Sequence, residues 1–145
     1  MKNLLRLEEL AQFLLCLFIL IANDVAWWYY VLLLIGPDIG MLGYLVNTKV
    51  GAVTYNLLHH KAIGLIFIVL GTYRYFATAL VSLLFDTEFE TDAIMIAGFI
   101  LFGHASLDRI FGYGLKFGDS FQHTHLGWIG KLKGQEQGQG AGNAR

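Results

Sequence analysis

The chain has 145 residues, of which 56% are hydrophobic and 14% charged, with a mean hydropathy of +0.56. That balance is too apolar for an ordinary soluble fold, whose charged fraction is about 25%, and a net charge of −1 leaves no basic field for nucleic acid. The single cysteine, Cys16, excludes an internal disulfide and a cysteine-based zinc site.

A first helix is predicted from about Leu4 to Ala22. Lys2 and Arg6 precede its apolar run, as in a secretory signal. No small-x-small cleavage site follows, and a second apolar run begins at Val25, so the segment reads as a retained membrane helix. After the turn Asn23-Asp24, a second helix is predicted from Val25 to about Val46. It opens with WWYY (27–30), read as an aromatic belt at the outer interface, and holds the only proline within GPDIGMLGY. Pro37 and its neighbouring glycines predict a kink or break that frees backbone groups beside Asp38.

Asn47 or Thr48 is the predicted N-cap of a third helix. That helix opens with the polar VGAVTYNLLHHK and turns apolar at AIGLIFIVLG. TYRYFATALVSLLF (72–85) either continues it or forms a separate short helix. DTEFETD (86–92) reads as an acidic loop, and a fourth helix runs from about Ala93 to Tyr113. Residues 1–129 thus read as an integral membrane domain. The Gly/Gln-rich stretch 130–145 reads as a flexible cytoplasmic tail.

The expected architecture is all-α, a polytopic membrane bundle of four transmembrane helices, or five if 73–85 is a separate span. With four spans, Lys2, Arg6, Lys49, Lys116, Lys131 and Lys133 fall on one side. The positive-inside rule then places both termini in the cytoplasm. The lipid bilayer is the expected partner. Small residues such as Gly43, Gly51 and Gly64 offer a route to a homo-oligomer.

A charged side chain at the centre of a membrane helix costs roughly 2.5–3.5 kcal/mol by insertion scales. Ionisable residues there must be paired, metal-bound or out of the lipid. At a rise of about 1.5 Å per residue, Asp38, His59, His104 and Asp108 come from three helices to similar depth in the inner half of the bilayer. His104 and Asp108 are four apart and share a helix face, as do Tyr55 with His59 and Asn56 with His60. Neutral imidazoles and ionised carboxylates are ligands for a divalent metal such as zinc, manganese or iron. Such an ion is what a membrane hydrolase needs to activate water.

The leading expectation is therefore a metal-dependent hydrolase site opening to the cytoplasmic leaflet. Asp38, His59, His104 and Asp108 are the candidate ligands, and Arg109 and Lys116 would neutralise an anionic lipid or phosphoester substrate. Glu8, Tyr55, Asn56, His60, His123 and His125 are secondary candidates. His123 and His125, two apart in FQHTHLGWIG, would point to one side of an extended segment and form a flap over the site. Two rival readings stand beside this one. In the first, the same His and Asp residues form a buried hydrogen-bond network that fixes helix register, without catalysis. In the second they serve a proton or metal conduit, against which the apolar outer halves of the helices weigh. Arg109 also reads as an ion-pair partner or snorkelling cation, and Glu8 as an interfacial helix-end charge.

Together GPDIGMLGY, YNLLHH, GHASLDRIFGYGLKF and FQHTHLGWIGK resemble the small bacterial membrane proteins grouped as domain-of-unknown-function family 4260. The resemblance extends from LLRLEEL to Lys131, with TYRYFATALVSLLFDTEFE as extra length. It implies a fold and a place in the bacterial cytoplasmic membrane, but no reaction. A looser similarity, through Pro37-Asp38, His59 and His104-x-x-x-Asp108, is to membrane-embedded metal-dependent hydrolases and zinc-type phospholipases.

Overall fold

The computed structural model describes residues 1–85 and 92–130. Its helices are α1 (Lys2–Ala22), α2 (Trp28–Ile35), α3 (Thr48–His59), α4 (Lys61–Phe85) and α5 (Ala93–Phe111). A 3₁₀ helix, Pro37–Leu45, joins α2 to α3, and a short antiparallel hairpin pairs β1 (His123–Thr124) with β2 (Gly127–Trp128). Of the expected acidic loop only Asp92 is described, and the expected tail beyond Gly130, with Lys131 and Lys133, lies outside the described residues.

Local chemistry sets the boundaries. Asn47 caps α3 by accepting the Val50 amide at 2.8 Å, as its sequence predicts. Asp92 caps α5 by accepting the Ile94 and Met95 amides at 2.8 and 3.2 Å. Gly112, at φ +91°, ends α5 in the left-handed conformation that glycine adopts without strain.

The predicted third helix is in fact two. The chain turns extended at His60 (φ −86°, ψ 112°), and the His60 ring accepts the Ala62 amide at 3.2 Å, starting α4 as an N-cap would. Residues 73–85 continue α4, so they are not the separate helix a fifth span required.

α5 is the central helix, packed against α1, α2, α3 and α4. It runs antiparallel to α1, with Gly103 against Cys16 near the middle and Gly112 beside Arg6 at one end. Backbone approach to α4 is close. A Cβ on Gly71 would lie 2.2 Å from the Met95 amide nitrogen, and one on Gly98 2.5 Å from that of Ile68. Small residues permit this contact, as in membrane helix pairs. Gly43 and Gly51 serve likewise between the 3₁₀ helix and α3, and Gly64 faces α5. The three glycines considered for self-association therefore pack within one chain.

The distribution of polarity is inverted relative to a soluble protein. Leu14, Phe18, Val69 and Leu80 are exposed, whereas His59, His104, Ser106 and Lys116 are buried. A modest apolar cluster, Leu20, Leu33, Met95, Ile96 and Ile100, fills the middle, with Tyr29 and Tyr30 of WWYY packed on it and Trp27 and Trp28 exposed. Among the described residues two helices, α4 and α5, are long and apolar enough to cross a membrane, and α2 with the 3₁₀ helix is a third if that pair, bent by 48°, counts as one span. This is a helical, membrane-type fold with two or three such spans by length and composition.

Candidate metal centre

Three elements converge on one point near the α3 and α5 C-termini. Pro37 opens the 3₁₀ helix and carries Asp38. α3 ends on His59, and α5 presents His104 and Asp108 on one face. One imidazole nitrogen or carboxylate oxygen from each of these four residues lies within 4.8 Å of all the others. The His59 and His104 Nε2 atoms are 3.1 Å apart. Asp38 Oδ1 is 3.5 Å from both, Asp108 Oδ2 is 3.4 Å from His59 Nε2, and Asp108 Oδ1 is 3.9 Å from His104 Nε2.

The backbone fixes which ring nitrogens face inward. His59 Nδ1 lies 2.8 Å from the Tyr55 carbonyl and His104 Nδ1 3.0 Å from that of Leu33. A carbonyl only accepts, so both Nδ1 atoms carry the proton. In their neutral form the rings turn two Nε2 lone pairs toward each other and toward two carboxylates. The Leu33 carbonyl is available because residue 37, four positions on, is proline and has no amide hydrogen to offer it. The helix break thus supplies both Asp38 and the acceptor that orients His104.

In that neutral form four lone-pair donors face one another, and a cation relieves their repulsion. Their charge suits a divalent ion, since two carboxylates bring −2 and two neutral imidazoles bring none. The spacing fits as well: ligand bonds of 2.0–2.1 Å in a tetrahedron place donor atoms about 3.4 Å apart. Each imidazole also has the outer carbonyl partner that metal-binding histidines typically use. Both histidines are buried, while the Asp38 side chain is 36% exposed and marks the open side.

A further layer holds the acids and the wall. Tyr55 Oη donates to Asp108 Oδ2 at 2.5 Å, and its ring stacks on His59 at 3.7 Å. Lys116, buried, donates to the Phe121 carbonyl at 3.1 Å and lies over the Tyr55 and Phe121 rings. Burial pushes its ammonium below the usual lysine value, opposed by the charges of Asp108 and Asp38. Asn56 clamps the Lys116 backbone from α3, donating to its carbonyl at 2.8 Å and accepting its amide at 2.7 Å. Tyr44, edge-on to Phe121, has a buried hydroxyl without a hydrogen-bond partner among the described residues.

The remaining predicted residues go elsewhere. The segment after α5 does fold back as a flap, but neither of its histidines reaches the centre. His123 binds Asp119 at 2.7 Å and stacks on Trp128, and this bond holds the Asp119 carboxyl below its ordinary value. His125 Nδ1 accepts the Leu115 amide at 2.8 Å. His60 caps α4. Glu8 is exposed, with a 3.5 Å contact to Gln12 as its bond.

Arg109, one residue past Asp108, turns away toward α1, where Glu9 lies 3.8 Å from its Nη1. Sequence reasoning missed Glu9, which also pairs with Lys61; Lys61 in turn donates to Gln12 at 2.5 Å. The signal was available in the spacing, because Glu9 and Gln12 are three apart and share a face.

No curated protein and no solved structure matches this chain. The sequence does match the family described as Domain of unknown function (DUF4260) over residues 2–129, nearly its whole length. The chain belongs to that family.

Proposed function

We propose that this protein is a metal-dependent membrane hydrolase acting on a lipid or another phosphoester at the cytoplasmic leaflet. The observation that supports it most is the inward-facing set of two imidazoles and two carboxylates, with each imidazole's Nδ1 tied to a backbone carbonyl. Asp38, His59, His104 and Asp108 would hold one divalent ion of the zinc, manganese or iron kind. When bound, such an ion polarises a phosphoryl oxygen and acidifies water.

The chain's own groups do the rest. Tyr55 holds Asp108 in place by its hydroxyl. The Lys116 ammonium, facing Asp108 and Asp38, lends positive charge to the wall where an anionic substrate would sit. The unpartnered Tyr44 hydroxyl is a donor for a substrate oxygen. Asp38 lies on the side from which substrate enters, and the Asn56 clamp keeps the flap against α3. In this reading four spans cross the bacterial cytoplasmic membrane, α3 and α4 contributing one between them, with both termini inside.

The test is hydrolysis of bis(p-nitrophenyl) phosphate and of phosphatidylglycerol by detergent-purified protein loaded with each of the three metals. Turnover that chelator abolishes, metal restores and His104→Ala lacks is the expected result. Metal-loaded wild type that cleaves no phosphoester contradicts the reading.

A further inference from the structure

A second charged feature lies beside the metal centre, where Arg109 follows Asp108 on α5. A cleft of about 640 Å³ opens between the start of α1, the end of α5 and the flap. Among the described residues Lys2, Arg6 and Arg109 line it, with Glu9 as the one carboxylate, so three cations against one anion leave +2. Glu9 is also bound to Lys61, which further reduces what it can neutralise. Neither Lys2 nor Arg6 has a carboxylate within ion-pair distance among the described residues, and the Arg109–Glu9 contact is long at 3.8 Å. Net positive charge from two helices thus faces one concave space.

The donors are placed by the fold. Gly112, in its left-handed conformation, has no side chain to fill the space beside the Arg6 guanidinium, whose Nη2 would lie 3.9 Å from a Cβ there. Arg6 consequently sits near the α5 C-terminus, where carbonyl dipoles favour a cation. His125 adds a neutral donor. Its Nδ1 accepts the Leu115 amide, so its Nε2 carries the hydrogen, and no hydrogen bond engages that atom among the described residues. Leu5 and Leu126 give the cleft an apolar rim.

We infer that this cleft is an anion site separate from the metal centre, and that it binds a phosphate group. Two guanidinium forks match phosphate oxygens two at a time, Lys2 adds a point charge and His125 a neutral N–H. The phosphate is either that of a membrane lipid, whose glycerol and chains meet the Leu5–Leu126 rim, or a free phosphate.

Isothermal titration of the full chain in nonionic detergent with inorganic phosphate, and in parallel with dioctanoyl phosphatidic acid, tests this. Arg6→Gln and Arg109→Gln should each weaken binding at least tenfold. Arg74→Gln, which removes the same charge beside Asp92 at the opposite end of α5, should leave it unchanged. Binding of both probes identifies phosphate alone as sufficient, and binding of phosphatidic acid only identifies the lipid as its source. His59→Ala, which dismantles the metal centre, should retain binding. Binding lost in His59→Ala yet kept in both cleft variants would belong to the metal centre and overturn the proposal, as would wild type that binds neither probe.

Discussion

At the scale of single residues, the decisive feature is the protonation pattern of two imidazoles. Sequence spacing alone brought Asp38, His59, His104 and Asp108 to one depth, because helical rise and periodicity depend little on tertiary detail. It did not show that each Nδ1 is tied to a carbonyl, since the Leu33 partner belongs to another helix, 71 residues away. It named Asp108 a ligand but left Arg109 between an ion-pair partner, which it is with Glu9, and a substrate cation. Neighbours on a helix point about 100° apart, and only the packing of α1 and α3 against α5 decides which one meets the centre. Glu9 in place of Glu8 has the same cause.

Two predictions belong at this scale. Tyr55→Phe removes the hydroxyl that holds Asp108 and should weaken metal affinity roughly 10–100-fold, read by competition with a fluorescent chelator. A metal affinity equal to wild type would show that Asp108 needs no such support. Metal retention should also fall as pH is lowered through the histidine range, because protons compete for the two Nε2 atoms. Dialysis at stepped pH followed by metal analysis measures this, and pH-independent retention down to the carboxylate range would contradict ligation by the two histidines.

At the scale of elements, the break at Pro37 was legible because proline cannot donate to the preceding turn. The break at His60 was not. No proline or glycine marks it, and it depends on a side chain bonding to the Ala62 amide. The flap was legible as a segment that folds back. The roles of its histidines were not, because they are set by Asp119, Trp128 and Leu115 within the flap itself. Pro37→Ala restores an amide that competes for carbonyls of the preceding turn. It should lower metal affinity while leaving the thermal midpoint nearly unchanged, and a variant with unaltered affinity would detach the break from the centre. Gly71→Leu forces a side chain against the Met95 backbone. Overpacking typically costs about 1–3 kcal/mol, and the expected result is a clearly lowered midpoint in detergent. An unchanged midpoint would mean that α4 and α5 do not pack so closely.

At the scale of the whole molecule, charge divides the two ends. Lys2, Arg6, Lys61, Arg109 and Lys116 gather with the His/Asp cluster at one end, while Trp27 and the Arg74–Asp92 pair mark the other. Composition made the membrane class legible. The number of spans was less so, because α1 carries Arg6, Glu8 and Glu9 in its first turns and the second apolar stretch is bent by 48°. If the cationic end faces the cytoplasm, a membrane-impermeant maleimide should label Trp27→Cys in intact cells. It should reach Ser120→Cys only after permeabilisation, both in a Cys16→Ser background. The reverse pattern would invert the topology. The most direct test of the central claim is elemental analysis of detergent-purified protein, wild type beside His59→Ala and His104→Ala. Near-stoichiometric divalent metal in the wild type, lost from both variants while their helical content persists, is the predicted result; wild type that holds no metal even after incubation with zinc, manganese and iron would contradict it.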